Sequence, residues 1–107
     1  MSLRIANVSN QTYFEESGTV TAAPIIVDLS QARPPYTFIV SPGNSNTSKL
    51  EISITPTAVT DPNNAVWVEW PFSAVSVATE TVYSGRLNAV RFTRVSGTST
   101  DRYEVLA

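Results

Sequence analysis

The sequence of 107 residues predicts an all-β chain, a single-domain antiparallel β-sandwich of the jelly-roll or immunoglobulin-like kind, with about eight short strands. Three observations lead there. Val, Thr, Ile and aromatic residues are abundant while Lys, Leu, Met and Gln are scarce; β-branched side chains lose rotamer freedom in a helix and pack well on a pleated surface. No long window places apolar residues at the helical spacing i, i+3, i+4, i+7. Turn signals recur instead, at Ser17-Gly18, Arg33-Pro34-Pro35, Ser41-Pro42-Gly43-Asn44, Asp61-Pro62-Asn63-Asn64, Ser84-Gly85 and Ser96-Gly97. Short strands punctuated roughly every 8–12 residues mark a sandwich or a barrel.

The elements follow in order. Residues 1–18 are polar and rich in Asn, Ser and Thr, with Leu3, Ile5, Tyr13 and Phe14 as their apolar members. This stretch reads either as an N-terminal arm that orders against a partner or as a first strand with its loop, leaving 19–107 as the sandwich proper. Pro24 interrupts the run from Val20 to Leu29, which places that strand on an edge or gives it a bulge. Tyr36, Phe38 and Val40 alternate with Thr37 and Ile39, and Leu50, Ile52 and Ile54 alternate with Glu51 and Ser53. Val66, Val68 and Trp70 alternate with Trp67 and Glu69, and Val90 and Phe92 with Arg91. Tyr103 and Val105 share one side of the last strand. Alternation of period two puts one side of each strand in the core, so Phe38, Leu50, Ile52, Ile54, Val66, Val68, Trp70, Val90, Phe92, Tyr103 and Val105 are the expected interior. The turn at Gly97–Asp101 suggests that residues near 87–95 and 102–106 pair as a terminal hairpin.

Composition excludes several functions. Cys and His are absent, which removes disulfide frameworks, thiol nucleophiles, imidazole bases and the usual zinc and haem ligands. The net charge is −2 and the pI about 4.9, an unfavourable balance for gripping nucleic acid. No run approaches the roughly 20 apolar residues of a membrane-spanning helix. The opening residues Met1 to Asn7 carry no apolar signal-peptide core, so the chain is expected to be made and used in a cytosol. Asn7, Asn10 and Asn46 begin Asn-x-Ser/Thr triplets, frequent by chance in so Ser- and Thr-rich a chain.

The candidate chemistries are weak. Gly43-Asn44-Ser45-Asn46-Thr47-Ser48-Lys49 has Ser48 where a phosphate loop has its second glycine, and Leu50 where it has a magnesium-binding hydroxyl. Asp61-Pro62-Asn63-Asn64 lacks the further carboxylates of a calcium loop and reads as a turn bonded to itself. Glu15, Glu16, Glu69 and Glu80 would need a cleft to separate their roles as a glycosidase acid pair. The expectation is therefore no enzyme, no metal and no cofactor.

Trp67 and Trp70 are more telling, because odd spacing puts them on opposite faces of one strand. Trp70 joins Val66 and Val68 toward the core, while Trp67 points outward beside Glu69. An outward Trp is an interface anchor or a sugar-stacking platform, unless the domain itself covers it. Arg86, Arg91, Arg94 and Arg102 gather toward the C-terminus; arginine is the cation favoured at protein interfaces. Candidate interface residues are thus Leu3, Ile5, Tyr13, Phe14, Trp67, Glu69 and Arg91.

The pattern Trp67-x-Glu69-Trp70, Ser84-Gly85, Ala89 to Gly97, and Asp101-x-Tyr103-Glu104-Val105-Leu106 resembles small all-β virion proteins of tailed bacteriophages, of the capsid decoration or cement type. It covers about the last forty residues, and its motifs are strands and turns rather than a site. The resemblance implies a non-enzymatic homotrimer on the exterior of the capsid, bound to the major capsid protein, assembled in the host bacterial cytoplasm and touching neither nucleic acid nor membrane. Two other readings stand beside it: a carbohydrate-binding sandwich with Trp67 and Tyr83 as platforms, and a minor tail or connector component.

Overall fold

Alternating runs with turn residues between them form nine strands among the described residues: β1 (Ser2–Val8), β2 (Gln11–Val20), β3 (Ile25–Asp28), β4 (Tyr36–Ser41), β5 (Thr47–Ser53), β6 (Val68–Glu69), β7 (Thr79–Tyr83), β8 (Ala89–Ser96) and β9 (Asp101–Leu106). The computed structural model describes residues 2–8, 11–70 and 73–107, with side chains from residue 14 onward. A single 3₁₀ turn, Pro62–Asn64, is the one helical element among them.

The strands make two antiparallel sheets, β1-β2-β9-β4-β7 and β3-β8-β5-β6, packed as a sandwich. Phe14, Val20, Tyr36, Phe38, Val40, Tyr103 and Val105 from the first sheet meet Val27, Leu50, Ile52, Val90 and Phe92 from the second, and all are buried. Phe92 sits at the centre, stacked on Tyr103 at 4.6 Å between ring centroids and edge-on to Phe38 at 6.5 Å. Within a sheet only β1–β2 and β5–β6 are sequential neighbours; every other connection crosses from one sheet to the other.

That topology corrects one expectation and bears out another, the edge position read from Pro24. β8 and β9 are not a hairpin: β8 is central in one sheet, between β3 and β5, and β9 is central in the other, between β2 and β4. The turn between them changes layers, with Gly97 at φ +97°, a conformation open to glycine at little cost. Pro24 lies between β2 and β3 rather than inside a strand, and β3 is an edge strand.

Ile54, Val66 and Val68 also differ from the expected core, being 72%, 68% and 54% exposed. The β5 strand stops at Ser53, so Ile54 has left the sheet. Only Val68 and Glu69 of the 65–70 run pair with β5, at an outer edge. Alternation tells which residues share a side, but an edge strand has nothing guaranteed to cover that side. Trp70, half-buried, packs against the core margin.

β1 and β2 form an antiparallel ladder, with Ser2 opposite Ser17 and Val8 opposite Gln11. Glu15 to Val20 also pair with β9, whereas β1 pairs only with β2. Phe14 is 3% exposed and belongs to the core, its backbone bonded both ways to Ala107 at 2.8 and 2.9 Å.

Candidate functional site: an edge groove and its aromatic flank

The side chains of β6 and the segments beside it reach two surfaces. Val66, Val68 and Trp70 point to one side, where with Ile52, Ile54 and Tyr83 they line an apolar groove of about 420 Å³. The groove opens between the two free edges β6 and β7, one from each sheet. Tyr83 stands edge-on to Trp70 with ring centroids 4.8 Å apart, which fixes the groove wall. The exposed apolar side chains around it are more than a solvated edge needs.

Trp67 and Glu69 occupy the other side, on the outer face of the second sheet. The Arg91 guanidinium lies 4.3 Å from the Trp67 ring centroid, within the range of a cation–π contact. Arg91 also donates to Glu51 Oε1 from Nε at 3.0 Å and contacts it from Nη2 at 2.9 Å. Register places Arg91 opposite Glu51, and Glu51 opposite Glu69, so a row of alternating function crosses three strands. Lys49 Nζ donates to Glu69 Oε1 at 3.1 Å and offsets the two facing carboxylates. Trp67 Nε1 donates to Pro62 O at 3.0 Å, tying the aromatic to the 3₁₀ turn. Of the sequence-derived interface residues, Trp67, Glu69 and Arg91 are thus brought together. Phe14 is in the interior, and the side chains of Leu3, Ile5 and Tyr13 lie outside the described residues. One face of the Trp67 ring is covered by Arg91, and Tyr83 belongs to the groove.

The groove members Ile54, Val66 and Val68 were missed as surface residues because period two cannot distinguish a covered edge from an open one. The brevity of β6 was signalled by Pro62 and Pro71, which bracket the run closely.

Two polar groups elsewhere, around Asp61 and Asn46, are structural. Asp61 accepts from Asn64 Nδ2 at 3.0 and 3.2 Å, and no group of three or more His, Cys, Asp or Glu among the described residues is arranged for a metal. Asn46 is 1% exposed with its side-chain amide fully engaged, so its triplet is sealed from modification. No helix among the described residues is long and apolar enough to cross a membrane.

One acid is placed unusually. Glu16 points into the sandwich beside Tyr103, and neither Glu16 Oε2 nor Tyr103 Oη has a hydrogen-bond partner among the described residues. Burial pushes the Glu16 carboxyl above the ordinary carboxylate range, and nearby Asp28 adds to the shift. Burial, then the charge of Glu16, lifts the Tyr103 phenol well above its usual value. Neither residue lines the groove, and the pair bears on stability.

Compared with family models, curated proteins and solved structures, the chain finds no match in any of the three.

Proposed function

We propose that this chain is a non-catalytic structural protein of a tailed-phage virion, a decoration protein that binds the major capsid protein lattice from outside. The likeness of residues 67–106 to small β virion proteins supports the choice of partner. The observation that carries a binding role is the apolar groove between β6 and β7, with Ile54, Val66 and Val68 open to solvent and Trp70 and Tyr83 in its wall. Exposed apolar side chains set against aromatic ones are the composition of an interface centre. On a lattice, many weak contacts of this kind act together, and a closed homotrimer would repeat one heterologous contact by rotation.

The test is co-sedimentation with capsids assembled from the major capsid protein of the same genome. Val68→Asp should keep its melting curve to within about 0.5 kcal/mol, as surface substitutions do, yet bind capsids at least about tenfold more weakly. Equal binding by the variant, or no binding by the natural chain, would overturn the reading. Light scattering of the free protein reports whether a trimer forms without the lattice. A mobility shift in a polysaccharide gel would point instead to the carbohydrate-binding reading.

A further inference from the structure

Six arginines and Lys49 are the cations of this chain. Lys49 and Arg91 are in ion pairs, and Arg94 Nη1 donates to Ser99 O at 3.0 Å. Arg33, Arg86 and Arg102 have neither an ion pair nor a hydrogen bond among the described residues. Two of these three border the same cavity, of about 330 Å³, at the end of the sandwich where β3 passes to β4 and β7 to β8.

The cavity has a polar rim and a fixed apolar floor. Arg33 comes from the β3–β4 connection and Arg86 from the β7–β8 connection, with Ser30 and Asn88 between them. Leu29, Tyr36 and Leu87 form the floor, each at most 3% exposed. Leu87 N–H donates to Tyr36 Oη at 3.2 Å, and Leu29 N–H donates to Asn88 O at 2.9 Å, which locks floor to rim. Asn88 is held in turn by Ser53 O and Thr55 O, each at 2.9 Å.

No acidic side chain among the described residues lines the cavity, and Asp28 beside its rim accepts from Ser30 N–H at 2.9 Å; two guanidinium groups bordering it repel each other, and an anion between them relieves that repulsion. The planar fork of arginine matches a carboxylate or phosphate with two parallel hydrogen bonds. In a chain of net charge −2 this is a local concentration of positive charge rather than general basicity. We propose that this cavity binds a compact oxyanion, a carboxylate or a phosphate monoester, carried on a small apolar or aromatic body. Arg33 and Arg86 take the oxyanion, and the body rests over Leu29, Tyr36 and Leu87. The proposal does not depend on the capsid reading.

Nitrogen-15 correlation spectra of the full chain test it, titrated at low salt with phenyl phosphate, N-acetylphenylalanine and inorganic phosphate. Both aromatic anions should give saturable shifts confined to amides around Ser30, Ala32, Arg86 and Asn88. The double variant Arg33→Gln, Arg86→Gln should weaken them at least about tenfold, and high salt should weaken them in the natural chain. Tighter binding of phenyl phosphate identifies a free phosphate monoester as the source of the oxyanion; tighter binding of N-acetylphenylalanine identifies the end of a polypeptide. Absence of saturable shifts, or shifts undiminished in the double variant, would overturn the site. Inorganic phosphate binding as tightly as phenyl phosphate would overturn the apolar body. Both arginines are exposed, so melting curves should confirm that the variant is folded.

Discussion

The two ends of the sandwich are both closed by turns, and they handle charge in opposite ways. At the end where β4 leaves for β5 and β8 for β9, Asp101 is 1% exposed and fully partnered. Its carboxylate accepts from Gly43 N at 2.7 Å, from Asn46 Nδ2 at 2.7 Å and from Ser48 Oγ. Asn46 adds Ser99 on both its amide atoms, donating to Ser99 O at 2.7 Å and accepting from Ser99 N at 3.2 Å. At the opposite end, Arg33 and Arg86 border a cavity, and neither has a hydrogen bond or an ion pair among the described residues. A buried charge is tolerated where hydrogen bonds replace its water, and an exposed one needs no partner to persist. The first end therefore belongs to the fold, and the second is free to serve a ligand.

The sharpest way to break the contrast is Asp101→Ala. It orphans donors from Gly43, Asn46 and Ser48 in the interior, which should cost roughly 3–5 kcal/mol, measured by urea unfolding. A loss below about 1 kcal/mol would mean that the closed end is not built on its hydrogen bonds.

Gly97→Ala strikes the same end through the backbone. An added Cβ would stand 1.9 Å from Asn46 Oδ1, and φ is +97°. Left-handed strain and overpacking together should cost about 2–4 kcal/mol in the same measurement. Correlation spectra should show the disturbance at Asn46 and Ser99 and leave Arg86 and Asn88 untouched.

Glu16 is an intermediate case, a buried carboxyl without the partners that Asp101 has. Burial holds its folded-state pKa above the ordinary 4.5, so the folded chain binds this proton more tightly than the unfolded one. Its stabilising contribution is complete below about pH 4.5 and is lost as the pH rises through the folded-state value. Glu16→Gln should remove that dependence, with a gain on the order of 1 kcal/mol at pH 8 that shrinks toward pH 4. Melting curves of both proteins across this range check the sign; a gain that grows on acidification would show that Glu16 is stabilised as a carboxylate.

The smallest effect on stability belongs to the open end. The variant Arg33→Gln, Arg86→Gln should unfold within about 0.5 kcal/mol of the natural chain. A large loss would show that these arginines have structural partners.

Much of this architecture was legible in the residues, and the reason is local. Tyr36, Phe38, Val40, Leu50, Ile52, Val90, Phe92, Tyr103 and Val105 lie on strands covered by the facing sheet, so alternation and burial coincide. The outward side of the 65–70 run was equally readable, because Trp67 and Glu69 had to oppose Trp70. That Arg91 stacks on Trp67 was not, since β8 and the β6 region are neighbours only through β5.

By itself, then, the order of amino acids determined the all-β class, the turn positions and the sides that strand residues share, because these depend on near neighbours and on the two-residue period. It also determined that the chemistry would have to manage without thiol or imidazole. Tertiary structure alone decided that β8 and β9 part into different sheets, and that Ile54, Val66 and Val68 line an open groove instead of a core. It likewise decided that Arg33 and Arg86, 53 residues apart in number, border one cavity. Each of these depends on which strand becomes an edge and which loops share an end, and those outcomes follow from long-range sheet pairing rather than from any local pattern.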